Sequence, residues 1–339
     1  MILLFTNKCD VHPSRVLDIL EGWGICVFRL NTEAIISDYN FSWWANDKGC
    51  DFFIENRISG RRIYGSQITA IWDRRYMDPS ELSGESVSEA IDNYKLAEAK
   101  AFLDFLRCYL KDIYSIGSIV NDTIAESKLL QLSVAQQLGM KLPNTCVSNV
   151  KSELIDRLCD ENYLCLKSLS VGSVVDEDSN QEYSLYTQRI ENSVLNQLNP
   201  QIFRETANCI QKYIEKRYEL RVVVCHDDIV TCQIDSQHLS EDKGKIDWRQ
   251  GYDEDLRLKI IETPERIRRF CLKFLQRLNL NFGCFDFVVT DDDIVFLECN
   301  PNGQWMWIEL MTGYDISTII ARNLACYEDV KIQQPIAKK

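Results

Sequence analysis

Two carboxylates and a carboxamide near the C-terminal end of this 339-residue chain could do chemistry together. In the run FGCFDFVVT, DDD, IVFLECN, Asp286 falls inside an apolar segment, and Glu298 and Asn300 lie two apart on the next one. Side chains alternate along a strand, so a hairpin here puts Glu298 and Asn300 on one face and lets Asp286 join them from the neighbouring strand. Three oxygen donors then converge. Such a set suits Mg²⁺, a hard cation that takes one or two carboxylates and fills its octahedron with water and substrate phosphates. Plain edge-strand charges would use the same residue types. A solvent-facing strand should alternate, however, and these acids interrupt apolar runs where an unpaired charge is costly.

Phosphates need cations as well. Lys167 sits within the otherwise apolar YLCLKSL, where an ammonium is expensive without an anion beside it, and Lys128 follows Asn121-Asp122 in the first turn of its helix. Together across a cleft they become phosphate ligands, whereas lysines singly are usually surface residues. Residues 211–217, QKYIEKR, read as a linker whose backbone amides, with Gln211 or Glu215, meet an adenine edge while Tyr213 and Ile214 pack on its face. Arg221, on the strand that follows, is placed to neutralise charge on a transferred phosphoryl group. Arg74, Arg75 and Arg249 are candidates for orienting an acidic peptide, because guanidinium forks match carboxylates; ordinary salt bridges are the competing use.

These residues must be carried by elements that face one another. Residues 2–6, 12–20 and 25–30 read as a βαβ opening with Pro13 starting the helix, followed by strands near 52–54, 61–64 and 68–73 and a long helix from Ser86 to Tyr109. A helix over 127–138 ends at Gly139, a strand covers 163–169, and an exposed, mobile loop follows in VGSVVDEDSNQ. A short helix over 203–210 precedes a hairpin, ELRVVVC and IVTCQID, that turns at His226; a helix over 264–278 leads into the metal-side hairpin. The fold class expected is mixed α/β and α+β. An N-terminal α/β domain spans 1–120, a central lobe 121–210 and a C-terminal lobe with the metal site 211–330, with a tail over 331–339.

Composition narrows the function. A net charge of −13 opposes a phosphate backbone, so nucleic acid is not an expected partner. No segment approaches the roughly 20 apolar residues of a membrane span, so membrane insertion and secretion are not expected. Fourteen scattered cysteines without a CxxC pair read as buried thiols of a cytoplasmic protein. There is no GxSxG elbow, and none of the three histidines carries a catalytic motif; His12 reads as a helix-start residue and His226 as a turn residue.

In chain order, Lys128 within NDTIAESKLLQLSVAQQLGMKLPNT, Lys167 before a small-residue loop, the 211–217 linker, Arg221 and the Asp286, Glu298, Asn300 trio resemble an ATP-grasp nucleotide site. The block FDFVVTDDDIVFLECNPNGQWMWIE is similar to the graspetide (microviridin-type) peptide ligases in particular, and TNKCDVHPSRVLDIL, VFRLNTE, IWDRRY and IDWRQ extend the likeness almost end to end. The resemblance implies two α+β lobes clamping ATP, with ATP and Mg²⁺ as cofactors. It also implies a ribosomally made precursor peptide, with leader and acidic core, as partner. Its Asp or Glu side chains would be phosphorylated to acyl phosphates and captured by Ser/Thr hydroxyls or Lys amines of the same peptide, with Lys167 and Arg221 at the reacting centre. A homodimer is compatible with the resemblance. The alternative is an ATP-grasp carboxylate–amine ligase acting on a free amino acid, a dipeptide or a protein tail. A third reading is a nucleotide-binding regulator that has lost catalysis. Trp305 and Trp307 are expected in the core.

Overall fold

The computed structural model describes residues 1–79, 89–170, 173–176, 181–184, 186–239, 242–251 and 256–326. The opening is the βαβ unit that the sequence announces: strand Ile2–Thr6, helix His12–Gly22 with Pro13 in its first turn, and strand Val27–Asn31. With Ala70–Asp73 and Ser115–Ile116 they form a four-stranded parallel sheet in the spatial order 27–31, 2–6, 70–73, 115–116. Ile2, Leu3, Leu4 and Phe5 are all buried, as expected of a parallel strand covered on both faces. One cover is the helix Glu89–Tyr109, together with an antiparallel meander of Tyr39–Asn46, Gly49–Asn56 and Arg62–Tyr64.

Two antiparallel sheets follow. The four-stranded sheet runs Gln188–Glu191, Tyr163–Lys167, Asn208–Lys212, Thr145–Ser148. The helix expected over 203–210 is not what forms: helix Pro200–Arg204 ends early and Asn208–Lys212 is a strand. Cys209, Ile210 and Gln211 are buried between two partner strands, and that pairing overrides local helix preference. The loop expected over 171–181 lies largely outside the described residues; of its neighbourhood, Ser173–Asp176 and Gln181–Ser184 pair antiparallel.

The five-stranded sheet runs Arg257–Ile261, Asp228–Asp235, Tyr218–Cys225, Phe282–Val289, Ile294–Asn300. Its two faces have different tasks. Leu220, Val222, Phe285, Phe287 and Phe296 point toward helix Glu265–Leu278, whose Ile267, Phe270, Cys271, Phe274 and Leu275 recur at helical spacing. On the opposite face Val223, Cys225, Phe282 and Cys284 share a core with Ile2, Leu4, Trp72 and Trp305, so the parallel sheet is welded to this end of the five-stranded one. Farther along the same face are Arg221, Asp286 and Glu298, which open into a cleft.

Trp305 is fully buried, as expected. It lies 4.9 Å from the His12 ring and 5.7 Å from Phe282, and its indole N–H donates to Ser317 Oγ at 3.3 Å. Trp305→Ala is expected to cost about 4 kcal/mol, read as a lower urea midpoint, because so large a hole between two sheets does not collapse. Trp307 departs in part from the core reading: it is half-buried and packs on the core edge, but lies tilted against Trp248 with ring centroids 4.6 Å apart and lines the cleft. Eight of the fourteen thiols are buried, but Cys9, Cys26, Cys50, Cys108, Cys159 and Cys326 are exposed, and none is in a disulfide. Among the described residues no helix is long and apolar enough to cross a membrane.

Candidate active site

A cleft of about 1200 Å³ lies between the four-stranded and five-stranded sheets and reaches the carboxyl ends of the parallel strands. Its floor is a row across three strands. Arg221 pairs in register with Asp286, and Asp286 with Glu298; two residue pairs along, Cys284 faces Asn300. The register then shifts: Phe287 pairs with Phe296, leaving Leu297 as an extra residue. That bulge turns Glu298 to the cleft although Phe296, two residues earlier, faces the aromatic core.

Within the row, the Arg221 guanidinium donates to Asp286 Oδ2 at 2.7 Å, and Asn300 Nδ2 donates to the same oxygen at 3.1 Å. Burial opposes the Arg221 charge, but the Asp286 carboxylate against it dominates and holds the guanidinium firmly protonated. Burial pushes the Asp286 carboxyl up to about 6 despite Arg221, with Glu298 adding like-charge repulsion. For Glu298 burial works the same way, yet the summed positive field of Lys167, Lys128, Arg249 and Arg221 leaves its pKa lowered. Two carboxylates side by side, each partly accessible at 19% and 27%, fit a small hard cation at the cleft edge. Among the described residues no three His, Cys, Asp or Glu side chains group as a metal site, so this ion would depend on ligand phosphates for the rest of its shell.

The lysines come from elsewhere in the chain. Lys128 is the first residue of helix Lys128–Gln137, capped by Ser127; its ammonium donates to the Ser168 carbonyl at 2.6 Å and stands 3.8 Å from Glu298. Lys167 ends strand Tyr163–Lys167 opposite Cys209 and also lines the cleft. Gln211, Tyr213 and Ile214 line it between the two sheets. Gln211 is buried and donates to Thr145 Oγ1 at 3.1 Å, and the Arg189 guanidinium lies 5.1 Å from the centre of the Tyr213 ring. Glu215 is not brought into the lining. Its side chain is 74% exposed and pairs with Arg189 at 3.7 Å, because the linker turns it outward.

The three arginines assigned to a peptide separate. Arg249 lines the cleft and is fixed by Asp247 through two bonds of 2.8 and 2.6 Å. Arg75 lines it on the N-terminal side and is exposed. Arg74 corrects the expectation. Its guanidinium is 1% exposed, ion-pairs with Asp10 at 3.1 Å and donates to the Asn302 and Gly303 carbonyls at 2.9 and 3.0 Å. It is a buried clamp on the loop after Asn300, out of reach of a peptide. Of the histidines, His12 opens its helix with Nδ1 3.0 Å from Asp10, and His226 sits in its turn at φ 53°.

Sequence reasoning missed part of the lining. Lys216 lies in the linker run QKYIEKR without a role assigned to it, yet its side chain is 5% exposed, lines the cleft and bonds Glu219 at 2.7 Å and the Ile246 carbonyl at 3.0 Å. Asp73, Tyr76, Arg107, Asp122 and Trp248 also line the cleft. Asp73 and Tyr76 lie in IWDRRY, Trp248 in IDWRQ and Asp122 in NDTIAESK, segments that carry the resemblance without assigning these side chains a role; Arg107 had no local signal.

Neither a protein-family model nor a curated protein matches the chain. Solved structures do. The RiPP-associated ATP-grasp ligase of Chryseobacterium gregarium, solved with ADP and a leader and core peptide, superposes with a TM-score of 0.82 at 24% identity, covering 96% of each chain. Macrocyclase MdnC of Microcystis aeruginosa MRC, bound with precursor peptide MdnA, gives 0.81 at 24% identity over 96% of this chain and 99% of that one. Macrocyclase MdnB of the same organism gives 0.74 at 24% identity over 95% and 98%. The chain has the ATP-grasp fold. The cleft lies between its four-stranded and five-stranded antiparallel sheets, with the Arg221, Asp286, Glu298, Asn300 row on its floor.

Proposed function

We propose that this chain is an ATP-dependent ligase that closes rings in a ribosomally made precursor peptide, joining Asp or Glu side-chain carboxylates to Ser/Thr hydroxyls or Lys amines through acyl phosphates. The observation that carries the reading is the convergence of Lys128, Lys167, Arg221, Asp286, Glu298 and Asn300 on one cleft. At about 1200 Å³ that cleft exceeds the usual pocket for one small ligand and suits a nucleotide with a peptide segment beside it. The fold is shared with a ligase solved with ADP and a leader and core peptide and with a macrocyclase solved with its precursor peptide, each over 96% of this chain. A cytoplasmic setting and the division at 1–120, 121–210 and 211–330 belong to the same proposal.

Asp286, Glu298 and Asn300 would hold Mg²⁺, which when bound offsets phosphate charge. Lys128 and Lys167 hold the phosphates from two different elements, so both are in place only when the two sheets are together. Tyr213 and Ile214 pack on the adenine, with Gln211 at its edge. Arg221 keeps Asp286 ionised against its burial and carries positive charge to the point of transfer. A substrate carboxylate attacks the γ-phosphorus, ADP leaves, and the acyl phosphate offers a good leaving group to the second side chain. Shielding from water matters, because water is the competing nucleophile.

Arg249, locked by Asp247, is the fixed guanidinium available to the peptide. Arg249→Ala is expected to raise KM for the peptide about tenfold with ATP affinity little changed, checked by titrating each substrate separately. A large loss of ATP affinity alone would reassign Arg249 to the nucleotide.

The test of the function is co-expression with a precursor peptide that carries a leader and an acidic core with Ser, Thr and Lys residues, followed by intact mass. Loss of one water per ring supports the cyclase. An unchanged authentic precursor, with ATP consumed when a free amino acid is supplied, would identify the simpler carboxylate–amine ligase.

A further inference from the structure

Strand Ile294–Asn300 lies at the edge of the five-stranded sheet, so its outward-facing backbone groups must find partners outside the ladder. The Phe296 N–H donates to the Lys141 carbonyl at 3.0 Å. Cys299, between Glu298 and Asn300, is served by a side chain 168 residues away: its N–H donates to Gln131 Oε1 at 2.9 Å, and its carbonyl accepts from Gln131 Nε2 at 2.6 Å. Only this orientation of the carboxamide works, since the reverse would set donor against donor. The same Nε2 donates to the Ala125 carbonyl at 2.5 Å, just before the Ser127 cap of helix Lys128–Gln137. Gln131 is 2% exposed and contributes to the cleft wall. It does for one residue of the edge what a neighbouring strand would do for many.

What this amide holds in place is Lys128. The two residues are three apart on one helix and so share a side. Residues 128–130 are not buried, whereas Val134 and Ala135 pack into the core with Phe285, Phe287 and Phe296. The second half of the helix is thus anchored by apolar contacts, and Gln131 is the first buried residue of its opening half. The strand has its own support: Asp286 with Glu298, and Cys284 with Asn300, keep it in register against Phe282–Val289. Lys128, 3.8 Å from Glu298, is a point charge on a flexible stem, and its aim depends on where the first helical turn stands.

Resting on the nucleotide site proposed above, we infer that Gln131 is a positioning residue for phosphate binding: its amide locks the first turn of helix Lys128–Gln137 to the strand between Glu298 and Asn300, and so sets Lys128 against the Glu298 carboxylate. It acts through Lys128 and touches no phosphate itself. The lysine and the carboxylates then meet the phosphates as one preset unit, and less ordering remains to be done when the nucleotide binds.

The experiment titrates the full chain with the non-hydrolysable ATP analogue AMPPNP and Mg²⁺ by calorimetry, in the wild type, Gln131→Met, Lys128→Met and the double variant, with urea midpoints alongside. Gln131→Met keeps the volume and removes the amide. It is expected to weaken AMPPNP binding about tenfold, Lys128→Met to weaken it at least as much, and the double variant to bind no more weakly than Lys128→Met alone, since a lysine that is gone cannot be misplaced. Full affinity in either single variant, or losses that add in the double variant, overturn the inference; a merely structural Gln131 would lower the urea midpoint and leave the affinity of the folded protein unchanged. Gln131→Asn, whose amide is one carbon too short to reach Cys299, repeats the test if the Met variant does not fold, and unchanged AMPPNP affinity there is equally fatal. A wild type that binds no AMPPNP would overturn the nucleotide site itself, whereas one that binds it as expected but closes no peptide ring would overturn the cyclase and leave Gln131 in its role.

Discussion

Glu298→Gln is expected to lower turnover at least about a hundredfold with the fold retained. The carboxylate sits in register with Asp286, faces Lys128 at 3.8 Å, and is held ionised against its burial by four surrounding cations. Glutamine keeps the volume and one oxygen but removes the charge that matches both a divalent ion and the lysines. Because 27% of the side chain reaches the cleft, no sealed cavity or buried orphan results, and thermal unfolding should shift little. ATP turnover with peptide, measured beside the melting temperature, checks both halves. Near-wild-type turnover would remove Glu298 from the metal set, and Asn300→Ala, expected to behave alike, provides the independent second test.

Arg221→Met is expected to damage both stability and activity. The guanidinium is 8% exposed, bonded to Asp286 at 2.7 Å and to the Gln304 carbonyl at 3.2 Å. Its loss strands a carboxylate among apolar strands, at a cost of about 3 kcal/mol, the low end for a broken buried pair because Asp286 keeps 19% exposure. Adding Asp286→Asn to Arg221→Met should return part of that stability, since the stranded charge goes, while turnover stays lost. Urea midpoints of the two single variants and the double variant decide it; additive losses would mean that the pair is not coupled. Arg221→Lys, which keeps the charge without the fork, should fold better than the Met variant and remain slow.

Much of this molecule was written locally. Short apolar runs announced the βαβ opening, the hairpin that turns at His226, and the strands that carry Asp286, Glu298 and Asn300; the apolar face of 264–278 announced the helix behind them. Residue type and run length were enough there because each element must bury its apolar side chains. The same logic marked Lys167 as a costly cation in an apolar strand and placed Trp305 in the core.

Other features depended on which segments meet. Nothing in 203–210 distinguishes a helix from the strand Asn208–Lys212 until two neighbouring strands take up its backbone groups. Arg74 and Arg75 are adjacent and identical in kind; Asp10 and the 302–303 carbonyls bury one, while the chain leaves the other in the cleft. Asp122 is buried at the cleft beside Gly117, with Asn302, 180 residues away, donating to it, a neighbour that no local pattern around 122 announces. The residue types of the phosphate and metal site, in their chain order, were thus determined by the sequence itself. Tertiary structure decided their aim: the bulge at Leu297 turns Glu298 from the aromatic core to the cleft, because strand register is set by pairing with a neighbour and not by the strand alone.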